Sequence, residues 1–195
     1  RYQDYYSDEW HGTWKNDGGV INQQAIHHID VMNYILGPIK SLSTYNTKRL
    51  NNLEAEDTSV SIINFVNGSL GTIEVTTAAR PEDFEASISI VGENGMVSIG
   101  GIALNHINQW YFINKIPEDK KFNLYSEEVP NGYGLSHKIV IENVINYLRG
   151  EKNSKVIKAI DSLETCRLIH SMYKSDETNQ SINIKDCLVS NYLGK

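Results

Sequence analysis

DTSVSIINFVNGSLGTIEVTT, residues 57–77, decides the fold. Ser59, Val60, Ser61 and Ile62 alternate small polar with branched apolar side chains, the period of a strand with two unlike faces. Leu70 to Thr76 has the same character, and Asn67-Gly68 lies between the two runs. Asn-Gly accepts the positive φ angles of a tight hairpin turn. Two strands joined so closely must be antiparallel, because a parallel pair needs a long crossover.

Working outward, the same signals recur. SLSTYNTKR (41–49), EASISIVG (85–92), MVSIG (96–100), INQWYFI (107–113) and KFNLYSEEV (121–129) are rich in Val, Ile, Thr, Ser and aromatic residues, and Asn94-Gly95 supplies another turn. Each is read as a strand. Before them, Gly19 to Leu36 has helical spacing, with Ile21, Ala25, Met32 and Leu36 on one face and Gly37-Pro38 as the stop. After them, Leu135–Leu148 and about 158–174 read as helices, and SINI (181–184) as a last short strand. The expected class is α+β: an open, mostly antiparallel sheet with helices on one face, in a single domain over 1–195.

Composition narrows the function. The chain has 195 residues, 40% apolar and 22% charged, with a formal net charge of -6. A non-specific nucleic-acid binder would need a basic surface. No apolar run reaches the roughly 18 residues of a membrane span. Cys166 and Cys187 show neither metal spacing nor a disulfide framework, so a reducing, cytoplasmic setting is expected. The opening RYQDYYSDEW has neither Met nor the order of a signal peptide and reads as the middle of a longer protein. No G-x-G-x-x-G and no P-loop occurs.

The densest polar cluster lies in GGVINQQAIHHID (18–30). On a helix, Gln23, His27, Asp30 and Tyr34 form one stripe, flanked by Asn22 and Gln24. Amides, an imidazole and a carboxylate on one side suit the grip and deprotonation of a hydroxylated ligand. Asp30 could instead hold His27 or cap a backbone group, and His28 falls near the apolar stripe and reads as packed. Adjacent side chains diverge on a helix, so no metal site is expected from His27, His28 and Asp30. Periodicity alone leaves the function open.

RYQDYY (1–6), WHGTW (10–14) and DGGVINQQAIHHIDVMNYILG (17–37) together resemble a stretch of the Gfo/Idh/MocA oxidoreductases, nearest the branch acting on UDP-linked N-acetylamino sugars and their uronic acids. The likeness continues through 54–77, 79–101 and VPNGYGLSHKIVIENVINYLRGEK (129–152). It implies a glyceraldehyde-3-phosphate-dehydrogenase-like C-terminal domain that binds substrate and assembles through its sheet face into a homo-oligomer. NAD or NADP would be held mainly by an N-terminal Rossmann domain absent from this chain, and a Glu-Lys-Pro lysine of that domain would help polarise or deprotonate the sugar hydroxyl.

The resemblance matches the family's helix histidine to His27, as acid/base or orienter of the sugar hydroxyl. It makes Gln23, Asn22, Arg1, Tyr5 and Trp14 candidates for binding a sugar or UDP-sugar. Gln23 stands where many relatives have Asp and this branch often has Asn, which excludes a proton-relay carboxylate there. His11 stands where the branch has Arg. The expectation is the substrate-binding half of an NAD(P)-dependent sugar or nucleotide-sugar dehydrogenase, inactive by itself. The alternative is a non-catalytic sugar-binding or assembly module. A glycosidase finds no placed pair of carboxylates.

Overall fold

The computed structural model describes residues 1–195, Asn123 by its backbone alone. Two compact units are present: Arg1–Asp83 with Ala159–Lys195, and Phe84–Lys158.

In the first unit, β1 (Ile39–Thr47), β2 (Thr58–Phe65), β3 (Leu70–Thr76) and β7 (Ile182–Asn183) form a sheet in the order β3-β2-β1-β7, antiparallel throughout. The Asn67-Gly68 turn joins β2 to β3 as expected, with Gly68 at φ 91°. Helices α1 (Ile26–Leu36) and α3 (Leu163–Thr178) pair, and α3 packs on β1. The core between them contains Ile21, Ile29, Leu42, Ile63, Phe65, Ile169, Met172 and Tyr173. Burying each such side chain contributes on the order of 2 kcal/mol.

The helix expected from Gly19 begins as a single wide turn, Ile21–Ala25, with π-type hydrogen bonding before the α-helix proper. Turns of this kind often accompany functional sites. The helix ends at Gly37, at φ 82°, whose N–H reaches the Asn33 carbonyl. α3 starts later than expected, after a 3₁₀ turn at Ala159–Ser162, and stops where Asn179 takes the left-handed conformation.

The alternation of β2 runs opposite to its polarity. Ser59 and Ser61 face the core, while Val60 and Ile62 face outward at 44% and 56% exposure. The inward hydroxyl of Ser61 is matched by Thr44 Oγ1 at 2.7 Å, and Ser175 Oγ accepts the Thr44 N–H at 2.9 Å. Those small polar groups allow α3 to lie close to β1. Tyr45 and Leu70 join Val60 and Ile62 as exposed apolar residues of the outer face.

In the second unit, β4 (Ile88–Gly92), β5 (Gly95–Gly100) and β6 (His106–Phe112) form an antiparallel sheet in the order β4-β5-β6. The strand run of the sequence is thus divided between two sheets. The strand expected at KFNLYSEEV does not form. Lys121 and Leu124 donate to Glu118 and Lys121 in successive 3₁₀ turns after Pro117, and Phe122 stacks on Trp110. Its two-residue spacing of Phe122 and Leu124 resembles a strand, but the local i→i+3 bonds win. Helix α2 (Ser136–Leu148) buries none of its residues.

Candidate functional site

The site is built on the turn before α1. Gly18 and Gly19 are buried, and their backbone donors are already committed. Gly18 N–H reaches the Thr13 carbonyl at 2.7 Å, and Gly19 N–H reaches Tyr173 Oη at 3.1 Å. Val20 N–H donates to the Glu56 carbonyl at 3.0 Å, and Ile21 N–H to Glu56 Oε1 at 2.9 Å. The backbone donors of Gly18 to Ile21 are thus all taken up within the chain. Among the described residues no cluster of His, Cys, Asp or Glu could hold a metal ion.

From that anchored turn the polar side chains project in a graded way. Gln23 is half-buried and donates through Nε2 to Tyr5 Oη at 2.7 Å. Tyr5 lies 4.2 Å from the His11 ring, and the Arg1 guanidinium sits 5.7 Å from the Tyr5 ring centroid. One helical turn beyond Gln23, His27 is exposed. Gln23, Tyr5, Arg1 and His11 are therefore brought together, with His27 next along the same helix.

The other candidates are placed differently. Asn22 is half-buried, and its Nδ2 donates to the Asp17 carbonyl at 2.8 Å, a bond internal to the loop. Trp14 packs edge-on against Tyr173 at 5.3 Å and joins the rim of the core. Arg1 also pairs with Asp83 at 3.0 Å. Asp30 does not hold His27; its carboxylate accepts the Thr165 hydroxyl and ties α1 to α3. His28 is partly buried as expected, with Nε2 unpartnered and its pKa lowered by burial. Arg80 spends its guanidinium on the carbonyls of Ala79 and Arg1, at 2.8 and 2.7 Å.

His11, noted in the sequence for standing where the resemblance leads one to expect Arg, is held on several sides. Its Nδ1 meets Asp8 Oδ2 at 2.6 Å, and its ring stacks on Trp10 at 3.6 Å. The imidazole thus fills a slot between two aromatic rings and a carboxylate.

Two residues central to this region escaped the sequence reading. Glu56 is 3% exposed and Tyr173 is 1% exposed. Burial pushes the Glu56 carboxyl up to about 7, against the hydrogen bonds from Ile21 and Tyr173 that favour the anion. Its neighbour Asp57 is held below the ordinary value. Burial acts to raise it, but the N–H groups of Leu50, Asn51 and Arg49 and the Thr58 hydroxyl outweigh that.

The comparisons with known proteins agree with this architecture. The family model described as "Oxidoreductase family, C-terminal alpha/beta domain" matches residues 1–184. The chain is 35% identical to the WlbA dehydrogenase of Bordetella pertussis, solved with NADH and UDP-GlcNAcA, with a TM-score of 0.86, covering 94% of this chain and 53% of that one. It is 33% identical to the WlbA dehydrogenase of Chromobacterium violaceum, solved with the same two ligands, with a TM-score of 0.84, covering 94% of this chain and 51% of that one. An NAD-binding oxidoreductase of Klebsiella pneumoniae shares the fold at 19% identity and TM-score 0.67, covering 92% of this chain and 56% of that one. No curated protein matches the chain. The chain spans about half the length of the two WlbA relatives. With the family model matched over 184 of its residues, the chain belongs to the Gfo/Idh/MocA oxidoreductase family, as its C-terminal α/β domain.

Proposed function

We propose that this chain is the substrate-binding half of an NAD(P)-dependent dehydrogenase that oxidises a CH–OH group of a nucleotide sugar, of the UDP-N-acetylamino-uronate class. The observation that carries the reading is 35% identity, over 94% of the chain, to a dehydrogenase solved with NADH and UDP-GlcNAcA. The nicotinamide cofactor supplies the redox chemistry and is held by a part of the protein outside this chain.

The chain's own contribution is to grip the sugar and manage the hydroxyl proton. His27 is exposed on α1, and a neutral imidazole can accept the proton of a carbinol as the C–H bond breaks. Gln23 Nε2 is turned toward Tyr5 Oη, which leaves its amide oxygen to accept from a sugar hydroxyl. Tyr5 and Arg1 supply an aromatic face and a cation beside it. Asn22 and Trp14 act less directly: Asn22 holds the loop to Asp17, and Trp14 seats it on Tyr173.

The outer face of the first sheet, with Tyr45, Val60, Ile62 and Leu70 exposed, supports self-association.

The test is His27→Ala in the whole enzyme, assayed with UDP-GlcNAcA and NAD. Turnover is expected to fall by about 10²–10⁴-fold with little change in KM, the mark of a lost acid/base group. His28→Ala is expected to lower thermal stability and leave turnover near normal. Near-normal turnover without His27, or a larger catalytic loss at His28, would assign the chemistry elsewhere.

A further inference from the structure

Glu56 and Tyr173 together take up the backbone donors of three consecutive residues at the start of the site helix. The Glu56 carbonyl accepts Val20 N–H, and its Oε1 accepts Ile21 N–H and the Tyr173 hydroxyl, the last at 3.1 Å. Tyr173 Oη in turn accepts Gly19 N–H. The Gly19 carbonyl then accepts Gln23 N–H at 3.0 Å, so the chain of bonds runs from the core to the residue that meets Tyr5.

The fit is tight enough to dictate sequence. A Cβ at Gly19 would lie 2.2 Å from Glu56 Cδ, O and Oε2. One at Gly18, which sits at φ 68°, would lie 3.0 Å from Tyr173 Oη. The Gly-Gly pair exists so that the backbone can close on this carboxyl and phenol. Glu56 Oε2 is buried with no hydrogen-bond partner among the described residues, a costly placement for a group whose only task is to fill the core. A packed apolar residue would fill that space without the penalty.

We propose that Glu56 is a positioning residue for the candidate site: with Tyr173 it clamps the turn Gly19–Ile21 and so fixes the direction in which Gln23 and His27 leave the fold. The assignment rests on the function proposed above for that helix. Glu56 touches no substrate; it acts through the backbone of the turn, and Tyr173 carries the clamp to α3.

The experiment uses two conservative variants, Tyr173→Phe and Glu56→Gln, each of which keeps the shape of its side chain. In this chain, hydrogen exchange is followed at Gly19, Val20 and Ile21 and, as a reference, at Leu42 in β1. Tyr173→Phe is expected to speed Gly19 exchange by about tenfold, the loss of one buried hydrogen bond to the phenol oxygen, with Leu42 unchanged. In the whole enzyme, with UDP-GlcNAcA and NAD, both variants are expected to lower kcat about tenfold. KM for NAD should stay unchanged, and Glu56→Gln should retain more turnover than Glu56→Ala. Unchanged exchange at the three amides would overturn the clamp. So would acceleration shared equally with Leu42, or loss of the whole fold in both conservative variants, since each marks ordinary core residues. His27→Ala, run alongside, judges the function separately. Normal turnover there, with Gly19 exchange still accelerated in Tyr173→Phe, removes the proposed chemistry and keeps the clamp.

Discussion

Helices α1 and α2 each carry apolar residues along one side and meet opposite fates. On the α1 segment, Ile21, Ala25, Ile29 and Met32 are all buried, against β1, β2 and α3 residues of one core. On α2, Ile139, Val140, Val144 and Ile145 are exposed by 59%, 56%, 39% and 41%. Periodicity states which side of a helix wants cover, and it does not state what provides it. In α1 the cover is in the chain, from strands brought back by a hairpin and from the closing helix α3. A further difference is polar. The π-type turn that leads into α1 is held at its start by Glu56 and Tyr173, whereas α2 has no side-chain cap at its start.

The sharpest way to break this comparison is to truncate one residue on each helix. Ile29→Ala removes a side chain that is 1% exposed and should cost this chain about 4 kcal/mol, from lost burial and the cavity left behind. Val144→Ala should cost about 0.5 kcal/mol or less. Denaturant titration of the two variants measures both. Equal losses would mean that α2 is covered in solution, and the contrast would vanish.

The polar difference is open to pH. The Glu56 carboxyl rises from 4.5 in the unfolded chain to about 7 in the fold. Between those values the folded chain holds a proton that the unfolded chain has lost, so the stabilising contribution is complete below pH 4.5. It falls as pH rises and is gone above about 7. The shift corresponds to about 3 kcal/mol. Asp17 and Asp176 are also raised by burial and add to the same trend, while His28 and His170 are lowered by burial and oppose it. The difference between the wild type and Glu56→Gln isolates the one group. Wild-type stability relative to Glu56→Gln should fall by about 3 kcal/mol from pH 4.5 to 7.5 in thermal or urea unfolding. A constant difference would mean that Glu56 is solvated in the fold.

Much of the fold was legible because its signals are local. Asn67-Gly68 fixed one hairpin, Gly37 stopped α1, and the Ile21/Ala25/Met32 spacing found the buried side. What was lost depends on distance. The break between the two sheets falls in the Pro81-Glu82-Asp83 stretch, and turn chemistry says nothing about which sheet the next strand joins. Gln23 and Tyr5 were named separately, but their hydrogen bond spans 18 positions. Glu56 was visible only as half of an acidic pair before β2, and its partner Tyr173 is 117 positions away. The signal that could have found it was the Gly18-Gly19 pair, since two adjacent glycines before a helix often mean that something packs where side chains would be.

The outer face of the first sheet extends the contrast from helices to strands, and its expected effect on stability is the smallest. In β2 the serines face inward and Val60 and Ile62 outward, the reverse of what a solvated sheet would choose. Ser61 is tolerable inward because it meets Thr44, whose N–H meets Ser175, whereas the Ser59 hydroxyl is buried with no hydrogen-bond partner among the described residues. Outward branched residues are good strand formers but gain nothing from water, and their presence at adjoining positions with Tyr45 and Leu70 is what the self-association proposed above rests on. Ile62→Lys separates the two contributions. The side chain is 56% exposed, and an amino group at its end reaches solvent, so the unfolding free energy of the monomer should change by about 0.5 kcal/mol or less. Across a self-associating face the same charge is doubled and desolvated, which dissociates the assembly. Sedimentation at tens of micromolar, a range in which interfaces of ordinary size stay assembled, should show a dimer or larger species for the wild type and a monomer for Ile62→Lys. A wild-type monomer under those conditions would leave the face uncovered and return Val60 and Ile62 to the role of strand formers alone.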